Sequence, residues 1–504
     1  MDEMNFDREL LREEFKESLK SMTHEQRNAY DRILNAVSMD LGGFYFVYGY
    51  GGTGKTFLYR TLSASLRCNG KIVLNVASSG IASLLLPNGR TAHSRFKIPL
   101  NINEDSVCNI KQGSSLAKLL ARASLIIWDE APMLNKHCYE ALDKSLKDIL
   151  RFEQSYKPYM PFGGKVVVLG GDFRQILPVI PMGSRQDIVQ SSISSSYLWD
   201  YCNVLKLSRN MRLSSSSSSQ DNCENMDFAN WLIHIGDGLA GDSIDGESKV
   251  LIPNEILIDD TDTGFEEFIQ FVYPMLIYNL TNTDYFKERS ILAPTLEVVN
   301  EVNNNIMSLL PGDQRVYLSS DSLCVEEGNM ESQLDTFSPD VLNAINCSGL
   351  PNHQLCLKEG VPVMLLRNID QSNGLCNGTK LQVRRLGNHI IECIVLTGDK
   401  AGRVVLIPRM NMIPNNDTLP FRFQRRQFPL IVSFAMNINK SQGQTLGVVG
   451  LYLPKPVFTH GQLYVALSRV KSKKCLRVLI QNNGSMPKGS TINVVFREVF
   501  NNVT

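Results

Sequence analysis

A glycine-rich stretch that ends in Lys-Thr is the first part of the sequence whose residue types suggest chemistry. It fits the pattern Gly-x-x-x-x-Gly-Lys-[Ser/Thr] and lies between a strand-like apolar run and a helix-like segment. Glycines let backbone N–H groups wrap phosphate oxygens at a helix N-terminus, where the helix dipole favours negative charge. We expect Lys55 to reach the β- and γ-phosphates of a nucleotide and Thr56 to offer its hydroxyl to Mg²⁺. The predicted nucleotide-binding residues are Gly49, Tyr50, Gly51, Gly52, Thr53, Gly54, Lys55 and Thr56.

A pair of carboxylates follows a second apolar run. Asp129 and Glu130 come directly after Leu125–Trp128. We expect Asp129 to hold Mg²⁺, commonly through its water shell, and Glu130 to polarise the water that attacks the γ-phosphate. An Asp-Glu pair alone is more often a helix-capping pair, and a glycine-rich loop alone can be a chance turn. Because both occur together after strand-like runs, the sequence favours a nucleoside triphosphatase.

Two glutamines are further candidates, each with a structural alternative. Gln175 lies shortly after the apolar run Val166–Leu169 and could sense the γ-phosphate, although a polar turn that closes a strand is the favoured explanation if the segment is taken alone. Gln26 belongs to Thr23-x-x-Gln26, which is also the pattern of a capping box, where the glutamine returns to the N–H of the cap residue. Both glutamines therefore depend on the wider pattern for a functional role.

These residues need a layered α/β scaffold, and the apolar pattern predicts one. Short continuous apolar runs, such as Phe44–Tyr48 and Ile72–Val76, alternate with helical stretches such as Tyr139–Leu150. Runs of this kind are typical of strands buried on both faces of a parallel sheet. A second α/β series begins with Arg289–Ala293. Its later strands are predicted at Leu430–Ala435, Val448–Leu453 and Leu476–Ile480.

Residues 357–428 show a different pattern, in which alternating apolar stretches are separated by turns that contain Gly and Asn. That pattern predicts an all-β insert within an α/β domain. The predicted division is an N-terminal helical extension (1–21), a first α/β domain (22–200) with a small wedge insertion at about 97–118, a second α/β domain in two parts (201–356 and 429–504) with a serine-rich loop at 213–225, and the β-rich insert between those parts (357–428).

Composition sets limits on the partners. The 504 residues carry 51 Lys+Arg and 51 Asp+Glu, so no overall basic charge indicates a nucleic acid, although a locally basic groove would suffice. No apolar run approaches the length of a membrane-spanning helix, so no membrane partner is expected. The eleven cysteines are scattered without a Cys-x-x-Cys pair, which favours a reducing compartment over a zinc site or a disulfide framework.

The combined motifs resemble the petite integration frequency (Pif-one) helicases, with the plant Helitron-type branch as the nearest match. The segments that carry the resemblance are MTHEQRNAY, GYGGTGKT, GRTAHSRFKIP, IIWDEAPM, LGGDFRQILPV, NMR, INKSQGQTL and GQLYVALSRV, in the family's order from about Thr23 to Ile480. The combination is highly specific, whereas the phosphate loop alone is not. The resemblance implies two RecA-like P-loop NTPase domains with parallel sheets, and a small inserted domain similar to a Src-homology-three-type barrel.

The resemblance also implies an activity and assigns residues to it. It implies an ATP-dependent DNA helicase that moves 5′→3′ on single-stranded DNA and binds ATP between the two RecA-like domains. Gln26 would contact the adenine, and Arg212 and Arg469 would be arginine fingers that complete a catalytic set with Lys55, Glu130 and Gln175. The residues implied along the DNA strand are His93, Ser94, Lys440, Ser441, Gln442, Gly443 and Thr445.

Three departures from the family pattern accompany the resemblance. Tyr50 stands where the family usually has Pro, and Asn437 replaces the usual Thr ahead of Lys440. The sequence also begins just ahead of the motor, so a fragment of a mobile element is one expectation. Two alternatives to the helicase stay open: a DNA-stimulated ATPase or translocase that does not separate strands, and an inactive transposon-derived remnant that binds nucleotide or DNA.

The expected partners and setting follow from the same resemblance. The cofactors would be ATP, as substrate, and Mg²⁺, and the partners single-stranded and forked duplex DNA, bound by a monomer. The implied roles are DNA repair, recombination, telomere maintenance or Helitron transposition. The implied location is the nucleus, although no compact run of five or more basic residues marks it.

Overall fold

The structure is a computed structural model. It describes residues 3, 5–211, 219–244, 246–324, 339–345, 347, 349–398, 400–414, 421–481 and 486–503. Within these residues, no helix combines the length and the apolar composition that are needed to cross a membrane.

The helices are, in chain order, α1 (Arg8–Ser21), α2 (His24–Ser38), α3 (Lys55–Cys68), α4 (Gly80–Leu84), α5 (Ala92–Phe96), α6 (Ser115–Arg122), α7 (Lys136–Leu150), α8 (Arg185–Ser191), α9 (Ser219–Gly236), α10 (Gly264–Val272), α11 (Thr283–Lys287), α12 (Leu296–Leu309), α13 (Pro339–Ala344) and α14 (Gln462–Leu467).

The strands are β1 (Gly43–Gly49), β2 (Ile72–Ala77), β3 (Arg90–Thr91), β4 (Ala123–Asp129), β5 (Val166–Gly171), β6 (Cys202–Leu207), β7 (Asp242–Ile244), β8 (Glu247–Leu251), β9 (Leu257–Ile258), β10 (Arg289–Ala293), β11 (Arg315–Leu318), β12 (Ser320–Leu323), β13 (Gln354–Leu357), β14 (Pro362–Leu365), β15 (Lys380–Leu386), β16 (Ile390–Val395), β17 (Val404–Pro408), β18 (Met410–Met412), β19 (Phe423–Gln427), β20 (Leu430–Val432), β21 (Ala435–Asn437), β22 (Val448–Leu453), β23 (Leu476–Ile480) and β24 (Ser490–Val494).

The first domain is built on a six-stranded sheet in the order β3-β2-β4-β5-β1-β6, in which every pairing is parallel. Alternate residues of its strands belong to two separate cores. In β1, Phe44 and Phe46 pack into one core, while Tyr45 and Val47 pack into the other. Because both faces are covered, the strands are almost continuously apolar, which is why their positions could be predicted from the sequence.

The second domain is built on a five-stranded parallel sheet in the order β21-β10-β22-β23-β9. Helix α12 begins after Thr295, whose side chain caps it by accepting from the Val298 N–H. The helix ends at Leu309, two residues before a proline. The predicted fold class, two RecA-like domains with parallel sheets, is confirmed.

The β-rich region is antiparallel throughout its described pairings. The main sheet has the order β17-β16-β15-β14-β20, and a smaller one has the order β12-β19-β18. Two buried side chains join the smaller sheet to the segment around α13. Arg425 donates to both carboxylate oxygens of Asp321, and it also donates to main-chain carbonyls that include that of Leu342. The carboxylate and carbonyl partners offset the cost of removing this guanidinium from water.

Several predicted limits differ from the structure. The first domain does not end at residue 200, because β6 pairs with β1 in its sheet. The serine-rich loop does not extend to residue 225, because α9 begins at Ser219, and Phe228, Leu232 and Ile235 are buried at helical spacing. At the C-terminus, part of 429–504 returns to the first domain, where Val494, Phe496, Val499 and Val503 join its core.

The predicted strand Leu430–Ala435 is two strands in two different sheets. Residues Leu430–Val432 pair with β14 of the antiparallel sheet, and Ala435–Asn437 pair with β10 of the parallel sheet. The apolar pattern is continuous because both strands pack against the interior, so it could not show the break. The predicted wedge at 97–118 is irregular up to residue 114, and it packs on the first domain through a hydrogen bond from the Cys108 N–H to the Ser145 hydroxyl (2.8 Å).

Candidate nucleotide site between the two parallel-sheet domains

The glycine-rich loop connects β1 to α3, as the sequence predicted. Gly54 precedes the helix with φ 83°, a left-handed conformation that glycine adopts without strain. Lys55 folds back over the loop and donates to the main-chain carbonyl of Gly49. The loop thus brings an ammonium group and the first N–H groups of a helix to one place, which suits a phosphate chain.

Gln26 serves both as a capping residue and as a contact to the loop. Its Oε1 accepts from the Thr23 N–H (3.0 Å), and the Thr23 hydroxyl accepts from the Gln26 N–H, so the capping box is complete. Its Nε2 donates to the carbonyl of Thr53 (3.0 Å) in the phosphate loop. The two explanations for Gln26 are therefore compatible, and the predicted adenine contact stays a prediction.

Tyr50 and Glu25 hold the segment Ser208–Met211, which follows β6, against the loop. The Tyr50 hydroxyl donates to the carbonyl of Ser208 (2.6 Å), and the Met211 N–H donates to Gly52 (2.9 Å). Glu25 accepts from the N–H groups of Ser208 (2.7 Å) and Arg209 (3.3 Å). Tyr50, which departs from the family pattern, therefore anchors the loop through its side chain.

The two carboxylates lie at the end of β4, beside the loop. Asp129 accepts from the Glu130 N–H (3.0 Å). Burial, together with the neighbouring charge of Glu130, raises the pKa of Asp129 to about 7, against the opposing effect of Lys55. Glu130 has φ 55°, which is unusual for a residue with a side chain, and strained backbone of this kind concentrates at functional sites.

The residues at this edge of the sheet fit a magnesium ion. Thr56 is the second residue of α3, the helix that follows β1. Asp129 ends β4, which runs parallel to β1 with β5 between them, so both residues are at the carboxyl edge of one sheet. Hydroxyl and carboxylate oxygens are ligands that Mg²⁺ prefers. A buried carboxyl group with a raised pKa is also one that a nearby cation would stabilise in its charged form.

Gln175 lies at the same edge, in a network that the sequence analysis did not identify. The side chain is buried, and its Oε1 has no hydrogen-bond partner among the described residues. The turn before it is held by Asp172, which accepts from the Tyr464 hydroxyl of the second domain (2.9 Å). Arg174 pairs with Asp237 (2.7 Å), which also lies beyond the first sheet.

His460 is a second unpredicted contact between the same turn and the second domain. Its Nδ1 accepts from the Phe496 N–H (2.8 Å), so its Nε2 carries a proton and donates to the carbonyl of Phe173 (2.7 Å). Burial lowers the pKa of His460 to about 4, so the neutral imidazole is the stable form. Asp172, Tyr464 and His460 lie within or beside motif segments, but no spacing rule pairs residues almost 300 positions apart.

Of the two predicted arginine fingers, the structure describes only Arg469. Arg212 lies outside the described residues. Arg469 is buried just after α14, and its guanidinium donates to the carbonyls of Val465 (2.8 Å) and Gln444 (3.0 Å). A gap of about 40 Å³, lined by Tyr50, Gly51, Tyr464 and Ser468 among others, separates the phosphate loop from α9 and α14. Helix α14 therefore faces the loop, and the finger role of Arg469 stays a prediction.

The predicted DNA-binding residues are divided between two cavities and the interior. Ser94, which is exposed beside the half-buried His93, lines a cleft of about 720 Å³ between the first domain and the β-rich region. Lys440 lines a pocket of about 320 Å³ between the second domain and the β-rich region, and burial lowers the pKa of its ammonium group. Thr445 is exposed, and Gly443 lies beside α4.

Two residues predicted to contact DNA are buried instead of facing a surface. Ser441 is enclosed, and its hydroxyl donates to the carbonyl of Ile438 (2.7 Å). Gln442 donates through Nε2 to Glu130 (3.0 Å), across the boundary between the two domains. The structure therefore places Gln442 at the nucleotide site, and its predicted DNA contact stays a prediction.

The fold and this site define a class: a protein of two RecA-like domains, of which the first carries a phosphate-binding loop and a strand-end carboxylate pair. Two family models match the chain: PIF1-like helicase over residues 21–245, and the 2B domain of DNA helicase Pif1 over residues 340–386. Together they span a little over half of the sequence. Over residues 21–245 and 340–386, the chain thus matches the PIF1-like helicase family.

Individual relatives agree with this assignment. The chain is 27% identical to the ATP-dependent DNA helicase PIF1 of Danio rerio, over 89% of this chain and 60% of that protein. It is 25% identical to the human protein of the same name, over 92% and 61%. The chain thus spans about three fifths of the length of these relatives.

Solved structures show the same fold. The crystal structure of Pif1 helicase from Candida albicans matches with a TM-score of 0.60 and 23% identity, over 95% of this chain and 98% of that one. A Bacteroides Pif1 helicase in complex with ADP-AlF3 and single-stranded DNA matches with a TM-score of 0.62 and 21% identity, over 94% of both chains.

Proposed function

We propose that the chain is an ATP-dependent DNA helicase that moves 5′→3′ on single-stranded DNA and unwinds duplex DNA. The observation that carries the proposal is the convergence of the phosphate loop, Asp129, Glu130 and Gln175 at one sheet edge, facing α14 of the second domain. A nucleotide bound there would touch both domains. Hydrolysis of that nucleotide could therefore change the relative position of the two domains, as a motor requires.

The residues present can carry out the hydrolysis. A water oxygen forms a bond to the γ-phosphorus while the bond from that phosphorus to the bridging oxygen breaks, so ADP leaves and inorganic phosphate is released. Glu130 would orient the water and accept its proton, and Lys55 would balance the charge that moves to the leaving oxygen. Mg²⁺, held through Thr56 and Asp129, would neutralise phosphate charge. Such stabilisation is most of what phosphoryl transfer requires.

The DNA partner is part of the proposal. It is supported by the exposed Ser94 and Thr445, by the ammonium group of Lys440, and by relatives whose names describe DNA helicases. A Bacteroides relative has been crystallised with single-stranded DNA, and another Pif1 structure concerns forked duplex DNA. We propose single-stranded and forked DNA as the substrates, bound by a monomer.

Assignment to the plant Helitron-like branch, and a nuclear location, are further proposals that only the motif resemblance supports. A tree built from the motif segments tests the branch, and a fluorescent fusion tests the location. Placement outside that branch, or a uniform cytoplasmic signal, would contradict them.

The experiment that tests the function combines three measurements on Lys55→Ala and on wild type: ATP turnover with single-stranded DNA, unwinding of a forked duplex, and thermal melting. The lysine meets ligand charge, so we expect loss of turnover and unwinding with an unchanged melting temperature. ATP turnover at the wild-type rate in Lys55→Ala would refute the assignment of the phosphate-binding site. DNA-stimulated turnover by wild type without unwinding would instead identify a translocase.

A further inference from the structure

One hydrogen bond connects the predicted DNA-binding segment to the catalytic carboxylate. The Nε2 of Gln442 donates to the Oε2 of Glu130 at 3.0 Å, between residues 312 positions apart. Both side chains are buried, with 3% of Gln442 and 8% of Glu130 exposed. A hydrogen bond to a charged group that is largely buried is stronger than one on the surface.

The other end of the Gln442 amide is unpaired among the described residues. Its Oε1 is buried and accepts no hydrogen bond from the part of the chain that the structure describes. Burying an unpaired carbonyl oxygen is unfavourable, so an apolar side chain of similar size would suit this position better if packing were its only purpose. The glutamine is therefore explained by the N–H that it gives to Glu130.

Glu130 is held in place independently of this contact. Its backbone is left-handed, and its N–H is fixed by Asp129 (3.0 Å) at the end of a central strand. The backbone that carries the carboxylate is therefore held in one conformation, and we look for the change in the partner of Oε2 on the Gln442 side. That side is the segment Lys440–Thr445, which we call the coupling segment.

The coupling segment contacts both domains, and its last residue is exposed to solvent. Gly443, with φ 79°, lies so near α4 that an added Cβ would be 3.3 Å from the Cβ of Ala82. Arg469 donates to the carbonyls of Ser441 and Gln444. Lys440 lines a pocket, and Thr445 is exposed. A strand that contacts Lys440 or Thr445 would therefore act on the residues between them.

We propose that Gln442 is the positioning residue through which bound single-stranded DNA controls ATP hydrolysis. Without DNA, its amide occupies Oε2 of Glu130, an oxygen that would otherwise orient the attacking water. With DNA on the coupling segment, the amide withdraws and that oxygen becomes available. The inference rests on the proposed function, because it assigns a DNA-dependent step to the same site.

The test compares Gln442→Leu with wild type in ATP turnover, with and without an oligothymidylate strand. We expect the DNA-independent kcat to rise about tenfold, because the hydrogen bond to a charged group that restrains Glu130 is gone. We expect the DNA-stimulated kcat to stay within about twofold, so the stimulation ratio falls by the same factor. The affinity for the strand, measured by fluorescence anisotropy, should rise by up to the same factor, because binding no longer has to break the hydrogen bond to Glu130.

Gln442→Asn keeps the amide but shortens the side chain by one methylene, so it should behave like Gln442→Leu without placing an apolar group in the site. The matched control is Gln382→Leu, because Gln382 is as buried (3% exposed) and lies in the β-rich region, where it donates to the carbonyls of Leu280 and Gly360. Its DNA-independent rate should equal that of wild type.

The outcomes separate the possibilities. A stimulation ratio that is unchanged in both Gln442 variants, or basal and stimulated rates that fall together, would overturn the inference, because a merely structural residue would give these results. A wild-type protein without any ATP turnover would instead contradict the proposed function. A raised basal rate with a lowered stimulation ratio is the result that supports the coupling role.

Discussion

Removing the guanidinium of Arg469 should separate its structural role from its proposed catalytic one. The side chain is buried and donates to the carbonyls of Val465 (2.8 Å), Ser441 (3.3 Å) and Gln444 (3.0 Å), and to the hydroxyl of Ser468 (2.8 Å). Arg469→Ala leaves these acceptors without a charged donor. Since such losses cost about 1–3 kcal/mol each and are not additive, we expect unfolding to become easier by about 2–5 kcal/mol.

The catalytic effect should be much larger than this loss of stability predicts. Arginine fingers contribute about 10³–10⁵ in rate to related phosphoryl transfers, because they meet charge that develops in the transition state. In a closed state, Arg469 would leave the carbonyls of Ser441 and Gln444 and turn towards the phosphate loop, which α14 already faces. Folded Arg469→Ala should then bind ATP within about tenfold of wild type and hydrolyse it very slowly.

Arg469→Lys provides the internal comparison. An ammonium group can reach one of the carbonyls, so part of the stability should return, but it lacks the planar fork that spans two oxygens, so turnover should stay low. The assay is single-turnover hydrolysis with single-stranded DNA, at a temperature where circular dichroism shows each variant to be folded. Near-wild-type hydrolysis in folded Arg469→Ala would refute the finger role and leave only the structural one.

Three further predictions concern the contacts around the nucleotide site. Gln26→Leu should raise the KM for ATP by about tenfold and that for GTP by less, if the amide reads the base; equal changes would leave only the capping role. Tyr50→Phe should speed amide hydrogen exchange of residues 208–211 by about fivefold, because it removes the hydrogen bond to the Ser208 carbonyl. The control Tyr285→Phe loses a hydrogen bond to the Pro274 carbonyl and should leave exchange at residues 208–211 unchanged. In the folded protein His460 is neutral and has a pKa of about 4, against 6.5 for a free histidine. The unfolded chain therefore binds the proton more tightly than the folded one. The free energy of unfolding should fall by about 3 kcal/mol as the pH drops from 6.5 to 4. Melting curves that are equally pH-dependent in wild type and His460→Gln would contradict that assignment.

The sequence determined the parts of the site that depend on local patterns. A loop that wraps phosphate needs glycines at fixed spacing, and a strand buried on both faces must be apolar along its length, so both can be recognised within about ten residues. For this reason β10, β22 and β23 have the predicted bounds, Lys55 begins the helix that follows β1, and Asp129 ends β4, as expected. The fold class follows from the alternation of such elements.

Only the tertiary structure decided which distant residues meet. Gln442 reaches Glu130, Tyr464 reaches Asp172, and His460 bonds to the Phe173 carbonyl, each across the boundary between the two domains. The sequence contains these residues, but their partners depend on how two separately built sheets pack together. Periodicity shows that a side chain is buried, not which element buries it. For the same reason the apolar run Leu430–Ala435 could not show that its two ends enter different sheets.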